Sequence, residues 1–186
     1  MNAMSAMKTA ALTAAFLLLG GPAVAVDFQF NGADYVFGWE GKDGDAAIKE
    51  YFVGDETPET WKTLITVTHH PEATKLADVT GPYYKARKSI VAMQPKAHPQ
   101  KGGDESDVVL EVFLGAPGRT PHMEYTLARF VETDSGVYSL IYSHKFRFVG
   151  KGDQNVNVDV AVKNSKRWIR ELQEIPVESV EQCFQK

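Results

Sequence analysis

Beyond its first two dozen residues the chain is written largely in a period of two. Residues 27–30 (DFQF) and 35–40 (YVFGWE) flank Asn31-Gly32-Ala33-Asp34, and this turn-rich interval predicts an opening β-hairpin. Residues 46–53 (AAIKEYFV) predict a second strand pairing, with GDETPE as the connection to residues 61–68 (WKTLITVT). There Trp61, Thr63, Ile65 and Val67 share one face, and Lys62, Leu64, Thr66 and Thr68 the other. Such alternation places one face on a core and the other in solvent. If the strand runs on, His69 and His70 point to opposite faces, and Pro71 ends the ladder.

The pattern turns helical at Glu72. Residues 72–79 (EATKLADV) predict two turns, interrupted by Gly81-Pro82. Pro82 then opens a second segment with an apolar stripe of Tyr83, Ala86, Ile90 and Met93. Lys85, Arg87 and Lys88 fall mainly off that stripe, as on a solvated face. Residues 95–106 (PKAHPQKGGDES) predict a long loop, a kind of segment often functional in a compact domain. Residues 106–115 predict a strand with Val108, Leu110, Val112 and Leu114 on one face, and residues 116–121 a turn.

The most legible element is the hairpin that follows. A turn at Asp134-Ser135 pairs Val131 with Tyr138, Arg129 with Leu140, Leu127 with Tyr142, Tyr125 with His144, and Met123 with Phe146, and a turn at Ser135-Gly136 would shift these partners but keep the same residues on that face. A register slip by one would send every apolar side chain to the wrong face. Residues 155–176 alternate at first but then prefer a helix. Its stripe is Val158, Ala161, Ser165, Trp168, Ile169 and Leu172, with Asn155 or Asn157 as N-cap and Pro176 as its end. The order of strands, helix, strands and helix gives an α+β domain: a twisted, mostly antiparallel sheet with helices packed on one face.

The first 25 residues change the picture of where this domain works. Lys8, an apolar run from Ala10 to Leu19, a Gly-Gly-Pro break and Ala23-Val24-Ala25 have the layout of a cleaved export signal. The run falls short of the ~20 apolar residues that cross a bilayer. Residues 1–25 are therefore expected to be a signal peptide and residues 26–186 one α+β domain, periplasmic or secreted, with no membrane insertion. A formal net charge of −4 argues against nucleic acid as partner. Cys183 is the only cysteine, so no disulfide forms within the chain.

Candidate chemistry is sparse. Arg129 and His144 interrupt the apolar inward face of the 122–149 hairpin, and a buried guanidinium needs partners. A ligand-binding pocket lined by Arg129, His144, Tyr125 and Tyr142 is one reading; a hydrogen-bonded core histidine and a peripheral arginine is the other. The chain has neither a G-x-S-x-G elbow nor a P-loop, and Ser139 and Ser143 fall on the face opposite His144. Glu111, Glu124 and Glu132 are expected on exposed strand faces. His69 and His70 are poorly spaced for a shared metal, and a site built with His98 or His122 would need the fold to gather them. No cofactor and no metal ligand set is assigned, and Trp39, Trp61 and Trp168 are expected to be core anchors.

Residues 50–67 (EYFVGDETPETWKTLITV) carry a Tyr-x-x-Gly-acidic…Trp pattern similar to one in uncharacterised exported bacterial proteins. The element order resembles the α+β sandwich of the extrinsic photosystem II subunit and its bacterial periplasmic relatives. The resemblance implies an accessory or binding role and transfers no catalytic residue. The expected function is thus a non-enzymatic binding protein acting on a macromolecular partner, an envelope accessory factor or an inhibitor. The alternative is a small-ligand binder or enzyme using the pocket around Arg129 and His144.

Overall fold

The computed structural model describes residues 28–100, 103, 105–115, 122–147 and 153–185, without the side chains of 147 and 153–157. Its frame is one antiparallel sheet of eight strands, curled into a half-barrel. The strands are β1 (Phe28–Phe30), β2 (Ala33–Asp43), β3 (Ala46–Val53), β4 (Thr63–His70), β5 (Val91–Pro99), β6 (Asp107–Leu114), β7 (His122–Thr133) and β8 (Gly136–Arg147). They lie in the order β1-β2-β3-β4-β8-β7-β6-β5, so the chain builds two meanders and joins them at β4 and β8. Three helices complete the fold: α1 (Leu76–Arg87), α2 (Asp153–Glu174) and α3 (Val177–Gln182).

The register of β7 and β8 is the one the turn dictates: Val131 opposite Tyr138, Leu127 opposite Tyr142, Met123 opposite Phe146. Their inward side chains join Phe28, Phe30, Tyr35, Tyr51, Ile65 and Val67 in the main core. α2 closes that core with the stripe Ala161, Trp168, Ile169 and Leu172, and α3 adds Val180 and Cys183. Trp168 sits in a cage of rings, 5.6 Å from Tyr125 and 5.6 Å from Tyr142 between centroids.

Three expectations require correction. The helices divide between the two faces of the sheet: α1 lies on the face opposite α2, where Val79 packs with Ala128, Phe130 and Val137. α1 also runs unbroken through Gly81-Pro82. Proline there removes one backbone donor, yet the helix is anchored elsewhere. Asp78 accepts from the amides of Thr74 and Lys75 at 3.0 Å each, and Glu132 accepts from the Leu76 amide at 2.5 Å. Finally, the long loop proposed over 95–106 is in part the edge strand β5. Its register shifts twice between Val91 and Lys96. Pro95 and Pro99 are tolerated because an edge strand has one side that donates to no neighbour.

The leader segment, the 116–121 turn and Phe148 lie outside the described residues.

Candidate functional site

The sequence-derived pocket residues do meet on the inner face, but as two closed networks. Arg129 is 3% exposed and binds Asp107 through Nε at 3.0 Å and Nη2 at 2.7 Å. Its Nη1 donates to the carbonyls of Leu172 (3.0 Å) and Ile175 (2.6 Å) at the end of α2. All three guanidinium nitrogens are therefore used to tie β6 and β7 to the C-terminal carbonyls of a helix, whose dipole favours a cation there. Tyr125 donates to Glu111 at 3.0 Å, and Glu111 also bonds His98 Nε2 at 3.0 Å. Burial and the Glu111 charge raise the Tyr125 phenol far above its usual range.

Tyr142 and His144 stand beside these networks. The Tyr142 hydroxyl is 3.4 Å from His144 Nδ1, and the imidazole stacks on Phe146 at 4.2 Å. Burial lowers the His144 pKa and raises that of Tyr142. Glu111, expected on an exposed face, is buried with Asp107. The reason lies in β6: its odd positions, Asp107, Val109, Glu111 and Phe113, face α2, while Val108 and Leu110 face the α1 side.

The open space lies on the other face. A groove of about 600 Å³ runs between α1 and the sheet. Thr126, Ser143, Ser139, Thr66 and Thr68 line its floor, and α1 contributes Val79, Tyr83 and Arg87. Adjacent strands bring these hydroxyls together: Thr126 lies opposite Ser143 and Thr68 opposite Ser139. Their short side chains leave the hollow. Two atoms in its wall, Tyr83 Oη and Thr126 Oγ1, are buried with no hydrogen-bond partner among the described residues. Such orphans are rare in folded proteins and call for an explanation.

The far end of the groove is built by a bulge. In β2, Tyr35 and Phe37 pair with Val53 and Tyr51, but one extra residue, Gly38, lies between Phe37 and Trp39. The insertion reverses the alternation, so Trp39 turns onto the groove face opposite Glu50 instead of into the main core. Gly41 completes the arrangement: a β-carbon there would overlap the Trp39 indole, so the ring lies down along its own strand. Trp39 remains 41% exposed. Next to it, the Glu50 carboxylate makes no hydrogen bond or ion pair among the described residues, and burial raises its pKa.

Of the three tryptophans only Trp168 is a core anchor. Trp61 stands at the groove rim with the Lys145 ammonium 3.5 Å above its ring. The two adjacent histidines separate as alternation requires. His69 stacks on Tyr138 at 4.3 Å, whereas His70 enters the groove, where burial and then the His69 charge lower its pKa. His98 and His122 each pair with a carboxylate, Glu111 and Glu124. Among the described residues no group of three or more His, Cys, Asp or Glu side chains could hold a metal. Cys183 is buried, and its thiol donates to the Ser179 carbonyl at 3.4 Å. No described helix is long and apolar enough to cross a membrane.

A bulged, aromatic-ended groove with an uncommitted carboxylate and a hydroxyl-lined floor is the candidate site, able to offer hydrogen bonds and a ring to stack on. The chain belongs to an uncharacterised protein family, whose model matches residues 23–177. No curated protein and no solved structure matches it.

Proposed function

We propose that this is an exported, non-enzymatic binding protein whose recognition site is the groove between α1 and the sheet. The observation that carries this reading is the groove itself, a hollow of about 600 Å³ floored by hydroxyls, in whose wall Tyr83 and Thr126 each bury a hydroxyl with no partner among the described residues. Leaving a buried polar group unpaired costs about 1–3 kcal/mol, and a bound ligand that pairs with both offsets that cost. The Arg129 and Tyr125 networks, by contrast, are closed and support a structural role. Export rests on the leader-like first 25 residues.

The test fills the groove from its floor. Ser143→Leu should abolish saturable binding found by thermal shift in a chemically mixed library of metabolites and oligomers, while the chain stays folded. Binding that survives the filled groove would contradict the proposal.

A second reading places a macromolecular partner on β2. Among the described residues β1 pairs only with Ala33–Tyr35, and Val36, Phe37 and Trp39 beyond it are exposed. An open strand edge bearing apolar side chains suits strand addition. Phe37→Lys should then release any protein recovered from envelope extract with the wild-type chain, whereas retention would count against this surface.

A further inference from the structure

We infer that the groove takes an uncharged, polyhydroxylated ligand: a short glycan laid across the strands, one sugar ring stacked on Trp39 and hydroxyls bonded to Glu50, Thr126 and Tyr83. This rests on the groove being the binding site and names what fills it.

Four features select that chemistry. The first is shape. From Thr126 on β7 to Trp39 on β2 the groove crosses β8, β4 and β3, roughly 19 Å along the sheet at ~4.8 Å per strand interval. An elongated ligand fits that path better than a compact one. The second is the platform. An indole held flat by Gly41 offers one open apolar face, the complement of the C–H face of a sugar ring. The third is the polar lining. Thr126, Ser143, Ser139, Thr66 and Thr68 carry hydroxyls that both donate and accept, as sugar hydroxyls do, and none carries charge. Glu50 adds a carboxylate whose two oxygens can accept from neighbouring hydroxyls.

The fourth is charge. Asp43, Glu50, Asp78 and Glu124 line the groove against a single guanidinium, Arg87, which disfavours anions. Cations are met differently. Asp78 is taken by the Thr74 and Lys75 amides, and Glu124 by His122 at 2.6 Å. The chain's own cations already cover two of the aromatic faces, Arg87 over Tyr83 at 3.9 Å and Lys145 over Trp61 at 3.5 Å. Trp39 is the face left open, and the hydroxyl floor beside it matches a neutral partner.

The experiment is calorimetric titration of the mature chain with cellotetraose, maltotetraose and chitotetraose. Spermidine, inorganic phosphate and tetra-alanine form the cationic, anionic and peptide arms. At least one neutral tetrasaccharide should bind saturably, with ring protons showing saturation transfer from the protein. Trp39→Ala should weaken it roughly tenfold, and Glu50→Gln by about ten- to a hundredfold. Gly41→Ala should also weaken binding by tilting the indole, and Trp39→Phe should restore part of what alanine loses. Binding of spermidine or tetra-alanine with the same Trp39 dependence, and of no saccharide, would overturn the glycan assignment while leaving the groove as the site. Saccharide binding indifferent to Trp39 and Glu50 would overturn it too. No binding in any arm would overturn both readings.

Discussion

The two faces of the sheet are built from the same strands yet solve opposite problems. On the α2 face the buried charges have been brought to partners, although the Trp168 indole N–H is buried with none among the described residues. Arg129 meets Asp107 and two helix carbonyls, and Glu111 meets Tyr125 and His98. On the α1 face the residues are smaller, a hollow remains, and two hydroxyls are buried unpaired. One face thus carries a buried ion pair tied to a helix end, and the other a hydroxyl-lined hollow. On the function proposed here, the α2 face serves stability and the α1 face recognition.

The sharpest way to break this contrast is at Arg129. Arg129→Met leaves Asp107 buried without its cation and frees the Leu172 and Ile175 carbonyls, so we expect a loss of about 3–5 kcal/mol by urea denaturation. Adding Asp107→Leu should recover much of it, because the uncompensated charge disappears with its partner. Next in size is Leu172→Ala, which hollows the same core under α2 and should cost about 2–5 kcal/mol.

How much of this was legible depends on what alternation can count. The inward face of the hairpin was readable because an unbroken period of two fixes it for either turn position, and the structure selects the Asp134-Ser135 turn. The stripe of α2 was readable for the same reason at a different period. Three things defeated the pattern. The bulge at Gly38 adds a residue that no alternation records, and it carries Trp39 to the other face. The apolar run Val108 to Leu114 claims the inner face of β6, although both faces of that strand are covered and the inner one holds Asp107 and Glu111. Pro82, Pro95 and Pro99 read as breaks, yet an exposed helix and an edge strand accommodate them. The groove itself did leave a signal. The supposed solvent face of the 122–147 hairpin reads Thr126, Ala128, Phe130, Ser139, Ile141 and Ser143, without a charge in its middle, which is unlike a face that meets water.

A smaller effect sharpens the comparison through pH. Burial lowers the pKa of His144 and of His70 below the free value near 6.5. The unfolded chain then binds more protons than the folded one as pH drops through that value. Stability contributed by the neutral rings is complete above about pH 6.5 and is lost progressively as pH falls through the folded pKa values. Urea midpoints should decline from pH 7 to pH 5, and His144→Phe should reduce that slope. An unchanged slope would remove His144 from the inner-face balance.

The most direct measurement is the stability of the double variant Thr126→Val, Tyr83→Phe, set beside its affinity for whatever the groove binds. Hydroxyls that serve the ligand alone can be removed at no cost to the fold, so its urea midpoint should equal or exceed the wild-type value while binding falls. A loss of about 2 kcal/mol or more, the cost of breaking a buried hydrogen bond, would mean that these groups belong to the fold, and the outer face would then be no less finished than the inner one.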